Sequence, residues 1–318
     1  MAVKLSVIVP CFNLKDYIIP CVESLLSQAC SFTFEILVAD DASTDGSREL
    51  LQQLAMSVGR SQLKVIAHEN NQGLTQNLRG LLTLAKGDYI AYLDGDDLAL
   101  PGKLQMQVDF LDANPGSGIC YHESEVFDSA TGKTLSFYSR DFYNARYIPG
   151  SAGLKDLVLY GTFLQASSVM FRRHPRLSEV LDPECRIIVD YPMHVANAAL
   201  GGGSIDRIDE VLGRYRIHSS SFGAQTSRSA ERREAVLKEL LHTCDRAGHL
   251  GLNKEYVARG KAHFRFATAL YFLRTGDIPR FQRYIAESGK YGLFFDERHE
   301  FAFANKEAPD RLRQRFFG

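Results

Sequence analysis

DYIAYLDGDD, residues 88–97, runs a strand-like segment straight into three carboxylates, Asp94, Asp96 and Asp97. The apolar part, DYIAYL (88–93), reads as a buried strand. Negative charge at the end of such a strand needs a reason, because neighbouring carboxylates repel and resist burial. Three similar strands lead up to it: LSVIV (5–9), FEILVA (34–39) and LKVIA (63–67). Between them, residues 15–28, the run through Leu50, Leu51, Leu54 and Val58, and the set Leu74, Leu78, Leu81, Leu82 and Ala85 have the period of amphipathic helices. Ser43 is expected to cap the second helix and Gly87 to end the third. Strand–helix alternation at this spacing predicts right-handed crossovers and a mainly parallel sheet flanked by helices, an α/β fold.

Pro101 opens a further helix, and after Pro115 the texture changes to short strands and turns. These are GICY (118–121), a hairpin over 125–138, QASSVMF (165–171) and DEVLGRYRIH (209–218). From about residue 228 the pattern is helical, with a break at TGD (275–277). The expected organisation is an α/β domain over 1–225, with halves at 1–100 and 101–225, and a helical C-terminal appendage over 226–318. No low-complexity segment or convincing internal repeat is present.

The 318 residues are 45% hydrophobic and 24% charged, an ordinary globular balance. No run approaches the ~20 apolar residues of a membrane span. The six cysteines (11, 21, 30, 120, 185, 244) form no CxxC pair, which argues for reduced thiols and against a zinc site. With MAVKLSVIVP reading as a strand and not a signal peptide, a cytoplasmic protein is expected. Residues 253–318 hold 13 Lys+Arg against 8 Asp+Glu, and the remainder 24 against 30. That mildly basic tail is too weak and dispersed for nucleic acid. It would suit peripheral contact with the anionic inner face of a cell membrane, or a packing surface that completes or dimerises the protein.

In a parallel sheet, ligands bind beyond the carboxyl ends of the strands. Polar clusters follow three of the four strands here: PCFN (10–13), DDASTDGS (40–47) and DGDD (94–97). Each alone fits a turn or a helix cap; together they suggest one cleft. No GxxxxGK[ST] or GxGxxG is present, so the usual phosphate cradles are missing. Carboxylates can hold a diphosphate only through a bridging divalent cation, Mg²⁺ or Mn²⁺, whose shell the phosphates complete.

These segments, with ENNQGLTQNLRGLLTLAKGDYIAYLDGDD, SSVMFRR, IIVDYPMHVANAA and VLGRYRIHSSS, make the chain resemble the family 2 glycosyltransferases of the GT-A fold over residues 5–221. The resemblance implies an inverting, metal-dependent transferase of the bacterial surface-glycan type. It would use a nucleotide-diphosphate sugar, a UDP-sugar favoured, and a glycan or lipid-linked acceptor. Residues 1–100 would then be the nucleotide-sugar half and 101–225 the acceptor half. Pro10, Asn13, Asp40, Asp41 (supporting its loop), Asn77, Asp94 and Gly95 would form the nucleotide-sugar site. Asp96 and His218 would serve the metal, Asp97 would hold the loop, and Asp190 would be the catalytic base. Many relatives carry an arginine shortly after the glycine of NxG, where GLTQNLRG (73–80) has Asn77 and then Arg79. A sugar nucleotidyltransferase, or a binding module without turnover, remains as an alternative.

Asp190 is the only acid of RIIVDYPMHVANAALGGG, between apolar residues and a helical pattern. Partial burial there would raise its pKa, and the same position would also cap the helix. Glu123 and Glu125 alternate on a strand, either solvated or near acceptor hydroxyls. His68, His122 and His194 read as surface or satisfied core residues.

Overall fold

Whole-length burial of three strands sets the frame. In the computed structural model, which describes residues 2–58, 62–219, 221, 226 and 229–318, β1 (Leu5–Cys11) and β2 (Phe34–Asp40) are buried at every residue. So is β4 (Tyr89–Tyr92), while β3 (Leu63–Ala67) at the sheet edge is fully buried only at Leu63. The intervening helices α1 (Ile18–Leu26), α2 (Ser47–Val58) and α3 (Leu74–Leu84) bury part of the apolar faces read from the sequence, Leu51 on α2 and Leu78, Leu81 and Leu82 on α3, while Val58 and Leu74 at the helix ends are exposed. Pairing β3–β2–β1–β4 is parallel throughout. Its register sets Cys11 opposite Asp40, Asp40 opposite Ala67 and Ile8 opposite Tyr92. The carboxyl ends of four strands therefore finish side by side.

Gly87 does not end α3, which stops at Leu84. It lets the chain pass β1: a Cβ there would stand 2.4 Å from the Ser6 backbone nitrogen.

Beyond β4 follow β5 (Leu98–Ala99), α4 (Lys103–Ala113), β6 (Ser117–Asp128), β7 (Thr134–Phe137), β8 (Ser151–Ala152) and α5 (Leu154–Tyr160). Then come β9 (Val169–Arg172), α6 (Asp190–Gly201) and β10 (Ser204–Ile217). The sheet order is β3-β2-β1-β4-β9-β6-β10-β5, with β7 on β6 and β8 on β10. β9 is antiparallel to both β4 and β6. β10 runs parallel to β6 and antiparallel to β5. The sheet is thus parallel through its first four strands and mixed after them. All six cysteines are free.

The chain forms two compact units, Met1–Gly153 with Thr162–His218, and Leu154–Gly161 with Ser219–Gly318. The boundary expected at 225/226 abuts residues 222–225, which lie outside the described residues, as does Ser220 of VLGRYRIHSSS. The second unit contains α5, α7 (Ala230–His249), α8 (Lys254–Thr275), α9 (Ile278–Gly289), α10 (Glu297–Ala304) and α11 (Pro309–Phe317). Left-handed Gly276 separates α8 from α9, the break read at TGD.

Inside this unit His263 stacks on Phe295 at 4.1 Å between ring centroids, and His299 on Phe266 at 4.3 Å. Burial pulls His263 down to about 3 and His299 to about 4. Both folded-state values lie below the ordinary ~6.5, so their stabilisation is present above ~6.5, is lost progressively as pH falls below it, and is gone once pH has fallen through the folded values. At pH 4.5 the loss is expected to reach about 2–3 kcal/mol per histidine. His263→Phe keeps the ring stack and removes one titration, so melts of the variant should depend less on pH. A parent–variant difference that stays constant from about pH 7 to 4.5 would contradict this.

Candidate active site

Loops after β1 and β2 are tied to each other backbone to side chain. Asn13, left-handed at φ 53, donates its N–H to Ser43 Oγ (2.9 Å), and its Oδ1 accepts from Thr44 N–H (2.9 Å). Asparagine tolerates that conformation better than most residues. Leu14 N–H reaches Ser47 Oγ and Lys15 N–H reaches Asp45 Oδ2, both at 2.9 Å. Ser43 is therefore a loop tie and not the cap of α2; Asp45 Oδ1 accepts the Ser47 N–H at that helix start (3.0 Å).

Asp40, fully buried at the end of β2, accepts from Arg48 Nε (3.0 Å) and Ser43 N–H (3.2 Å) through Oδ2. Its Oδ1 has no partner among the described residues. Asn77 donates to the neighbouring Ala39 carbonyl (2.9 Å), and its Oδ1 is likewise unpartnered. Two orphan acceptors thus belong to side chains anchored at adjacent residues of β2. Asp41 is engaged otherwise: its two oxygens take the N–H groups of Gln72 (2.8 Å) and Gly73 (2.9 Å), which hold the entry to α3. Arg48, which offsets the Asp40 charge, was not singled out in the sequence.

The DGDD turn packs on the end of β1. A Cβ at Gly95 would stand 2.8 Å from both Leu14 Cδ1 and Pro10 O, so only glycine allows this approach. Asp97 is wholly buried and accepts from Gln165 Nε2 (2.9 Å), Ser167 Oγ (2.7 Å) and Arg216 N–H (2.8 Å). It is the loop holder. Asp94 accepts from the Tyr92 hydroxyl, and its N–H donates to Ser167 Oγ (2.9 Å). Burial and the neighbouring Asp96 charge push the Asp94 carboxyl up to about 8.

Asp96 faces His218, with Oδ2 and Nε2 2.9 Å apart across 122 residues of chain. Pairing of β10 with β5, Arg214 opposite Leu98, brings the two together. Arg216 clamps the junction: its Nε donates to Asp96 O (2.6 Å), and its guanidinium lies over Tyr17 (5.0 Å) and Phe127 (4.7 Å).

Behind the turn lies a cation that sequence reasoning missed. Lys103 is fully buried, with Nζ 2.6 Å from Ser167 O and 2.7 Å from His122 Nε2. His122 Nδ1–H donates to Glu123 O (2.7 Å), which leaves Nε2 to accept from the ammonium. Burial pulls Lys103 down to about 7. A lysine in the first turn of a helix opposes the helix dipole, and that was the available signal. Glu123 neither faces solvent nor waits for an acceptor. Its carboxylate takes three backbone N–H groups, from Ser124, Ser139 and Arg140, at 2.9 Å each. Glu125 pairs with Arg214 at 2.8 Å.

Asp190 is the first residue of α6, half-buried, and burial raises its carboxyl above the ordinary range, with backbone N–H groups opposing. Its charge is felt by Tyr92 and Asp94, which places it at the same cluster.

A family model described as "Glycosyl transferase family 2" matches residues 6–168. The uncharacterized protein Rv1520 of Mycobacterium tuberculosis is 28% identical over 291 residues, 87% of this chain and 81% of that protein. The putative teichuronic acid biosynthesis glycosyltransferase TuaG of Bacillus subtilis is 28% identical over 236 residues, 74% of this chain and 87% of TuaG. S. aureus TarS 1-349, solved with UDP-GlcNAc, superposes with a TM-score of 0.66 at 19% identity, covering 98% of this chain and 89% of that one. The mannosyltransferase PcManGT of Pyrobaculum calidifontis, solved with GDP-Man and Mn2+, does so at 0.61 and 19%, covering 97% and 80%. The last two show the same fold.

Proposed function

The chain belongs to glycosyl transferase family 2, and from that premise we propose that it moves a sugar, with inversion, from a nucleotide-diphosphate sugar to a hydroxyl of a glycan or lipid-linked acceptor. The observation that carries this is the meeting of Asp96 and His218 at 2.9 Å beside Asp94, at the carboxyl ends of parallel strands. A Mn²⁺ or Mg²⁺ ion fits there. A carboxylate oxygen and an imidazole nitrogen are a donor set that Mn²⁺ accepts. Asp96 and His218 would hold the ion, and when bound it neutralises the charge of the donor diphosphate.

Asp40 and Asn77 each keep a buried acceptor without a partner. A nucleobase N–H donor would satisfy such an oxygen, whose isolation otherwise costs about 1–3 kcal/mol. We favour a UDP-sugar, on the TarS complex with UDP-GlcNAc, over the GDP-Man that PcManGT holds. Asn13, fixed to the 43–47 loop by its two ties, would shape the wall together with Pro10. Asp190 takes the proton of the acceptor hydroxyl at a carboxylate oxygen as that hydroxyl attacks. The kinship with TuaG supports a role in surface-polysaccharide synthesis. No described helix is long and apolar enough to cross a membrane; the basic C-terminal region would give peripheral contact with an anionic surface.

Nucleotide release from a panel of sugar donors, with Mn²⁺ and with excess EDTA, tests the reading. Release that requires the ion is expected. Binding without release would instead make the chain a nucleotide-sugar module. Pyrophosphate-dependent formation of nucleoside triphosphate would make it a sugar nucleotidyltransferase.

A further inference from the structure

We propose that the first unit carries a second ligand site, outside the donor cleft, that takes the phosphoryl group of a small organic phosphate such as a sugar phosphate. A cavity of about 630 Å³ opens between α3 and the segment joining β9 to α6. Arg79, Thr83, Arg173, His174 and Ser178 supply its polar lining, and no carboxylate lines it. Arg79 and Arg173 make no ion pair among the described residues; Arg173 caps α3 through the Ala85 carbonyl. Guanidinium forks and hydroxyls with no acid between them suit an oxoanion.

Two buried polar atoms lie next to this lining. His174 Nε2 lies 3.0 Å from Asn197 Oδ1, so that nitrogen is the N–H donor. In the neutral ring His174 Nδ1 is then an acceptor, and it has no partner among the described residues. Asn197, 2% exposed on α6, leaves its Nδ2 donor unpartnered as well. Buried atoms of this kind usually have partners. The guanidinium donors of Arg79 and Arg173, with the Ser178 hydroxyl beside them, match the three acceptor oxygens of a phosphoryl dianion. A carboxylate brings two oxygens and one negative charge where the phosphoryl group brings three oxygens and nearly two charges. The volume exceeds what an inorganic ion fills and falls in the range of small-molecule sites, and Leu82, Leu177 and Leu181 give it apolar walls.

Calorimetric titration of the full chain with glucose 6-phosphate, glucose and inorganic phosphate tests this without any transfer assay, so it stands or falls apart from the donor reading. Saturable binding of glucose 6-phosphate is expected, with glucose inert and inorganic phosphate at least tenfold weaker. Arg173→Gln should weaken binding at least about tenfold, one charge-assisted contact. Because that variant also loses a helix cap, Thr83→Glu serves as the second. It places an acid in the cavity from an exposed position of α3 and should weaken binding as much while the melting temperature holds. Unchanged affinity in both variants, no saturation by about 10 mM (weaker than ~3 kcal/mol of binding), or glucose binding as well as its phosphate would each overturn the site. Inorganic phosphate binding as tightly as glucose 6-phosphate would overturn the assignment to an organic phosphate.

Discussion

Asp96→Ala is expected to bring metal-dependent transfer down to background while the sheet stays folded. The reason lies in what the side chain does not support. Asp97 and Ser167 hold the DGDD turn from within, and among the described residues the Asp96 side chain meets only His218, with 20% of it exposed. Removing it leaves one imidazole for a hard divalent ion that depends on carboxylate oxygen. Nucleotide release under Mn²⁺ titration should show lost activity that excess ion does not restore. His218→Ala should weaken donor or ion binding less, because Asp96 and the diphosphate remain. Full parental activity in excess EDTA would remove the ion from this account, and a melting temperature far below the parent would assign Asp96 to folding instead.

Asp190→Asn is expected to lower transfer by about 10²- to 10⁴-fold, the usual contribution of a general base. Asparagine fits the same space at the first position of α6 and accepts the same N–H bonds, but it cannot accept a proton. Burial raises the Asp190 carboxyl above the ordinary carboxylate range. A raised carboxyl contributes stability below its unfolded pKa and loses it as pH rises through the folded one. The neutral amide escapes that loss, so at neutral pH the variant should melt at or slightly above the parent. For the parent, activity should fall as pH drops through the raised value, because the base must be ionised. Donor and ion affinity should survive the change. Near-parental transfer by Asp190→Asn would exclude it as the base.

Much of the fold was readable because burial leaves a local mark. VIV (7–9) and ILVA (36–39) are apolar at successive residues, which only strands covered on both faces tolerate. The family resemblance rested on segments whose order and spacing were equally local, and the family model covers their first part. Helix ends were less legible. Ser43 had the chemistry of a cap but was drawn into the loop by Asn13, and Gly87 had the chemistry of a stop but was needed for close passage at Ser6. In both cases a contact made by a distant segment outweighed a local preference.

The sequence by itself determined the α/β class, the family and the list of polar residues at the strand ends. Periodicity and short-range motifs act within about a turn or a strand, so they survive without knowledge of the partner. Tertiary structure alone decided how that list divides. Asp96 meets His218 because β10 pairs with β5, and nothing near either residue specifies that pairing. Asp41 and Asp97 are spent on backbone and loop contacts while Asp40 and Asn77 keep unpartnered oxygens. Lys103 reads as an ordinary surface lysine until α4 places its ammonium beneath the turn, beside Ser167 and His122. Whether a charged group is solvated, paired or orphaned depends on atoms brought from dozens of residues away, and only the folded chain places them.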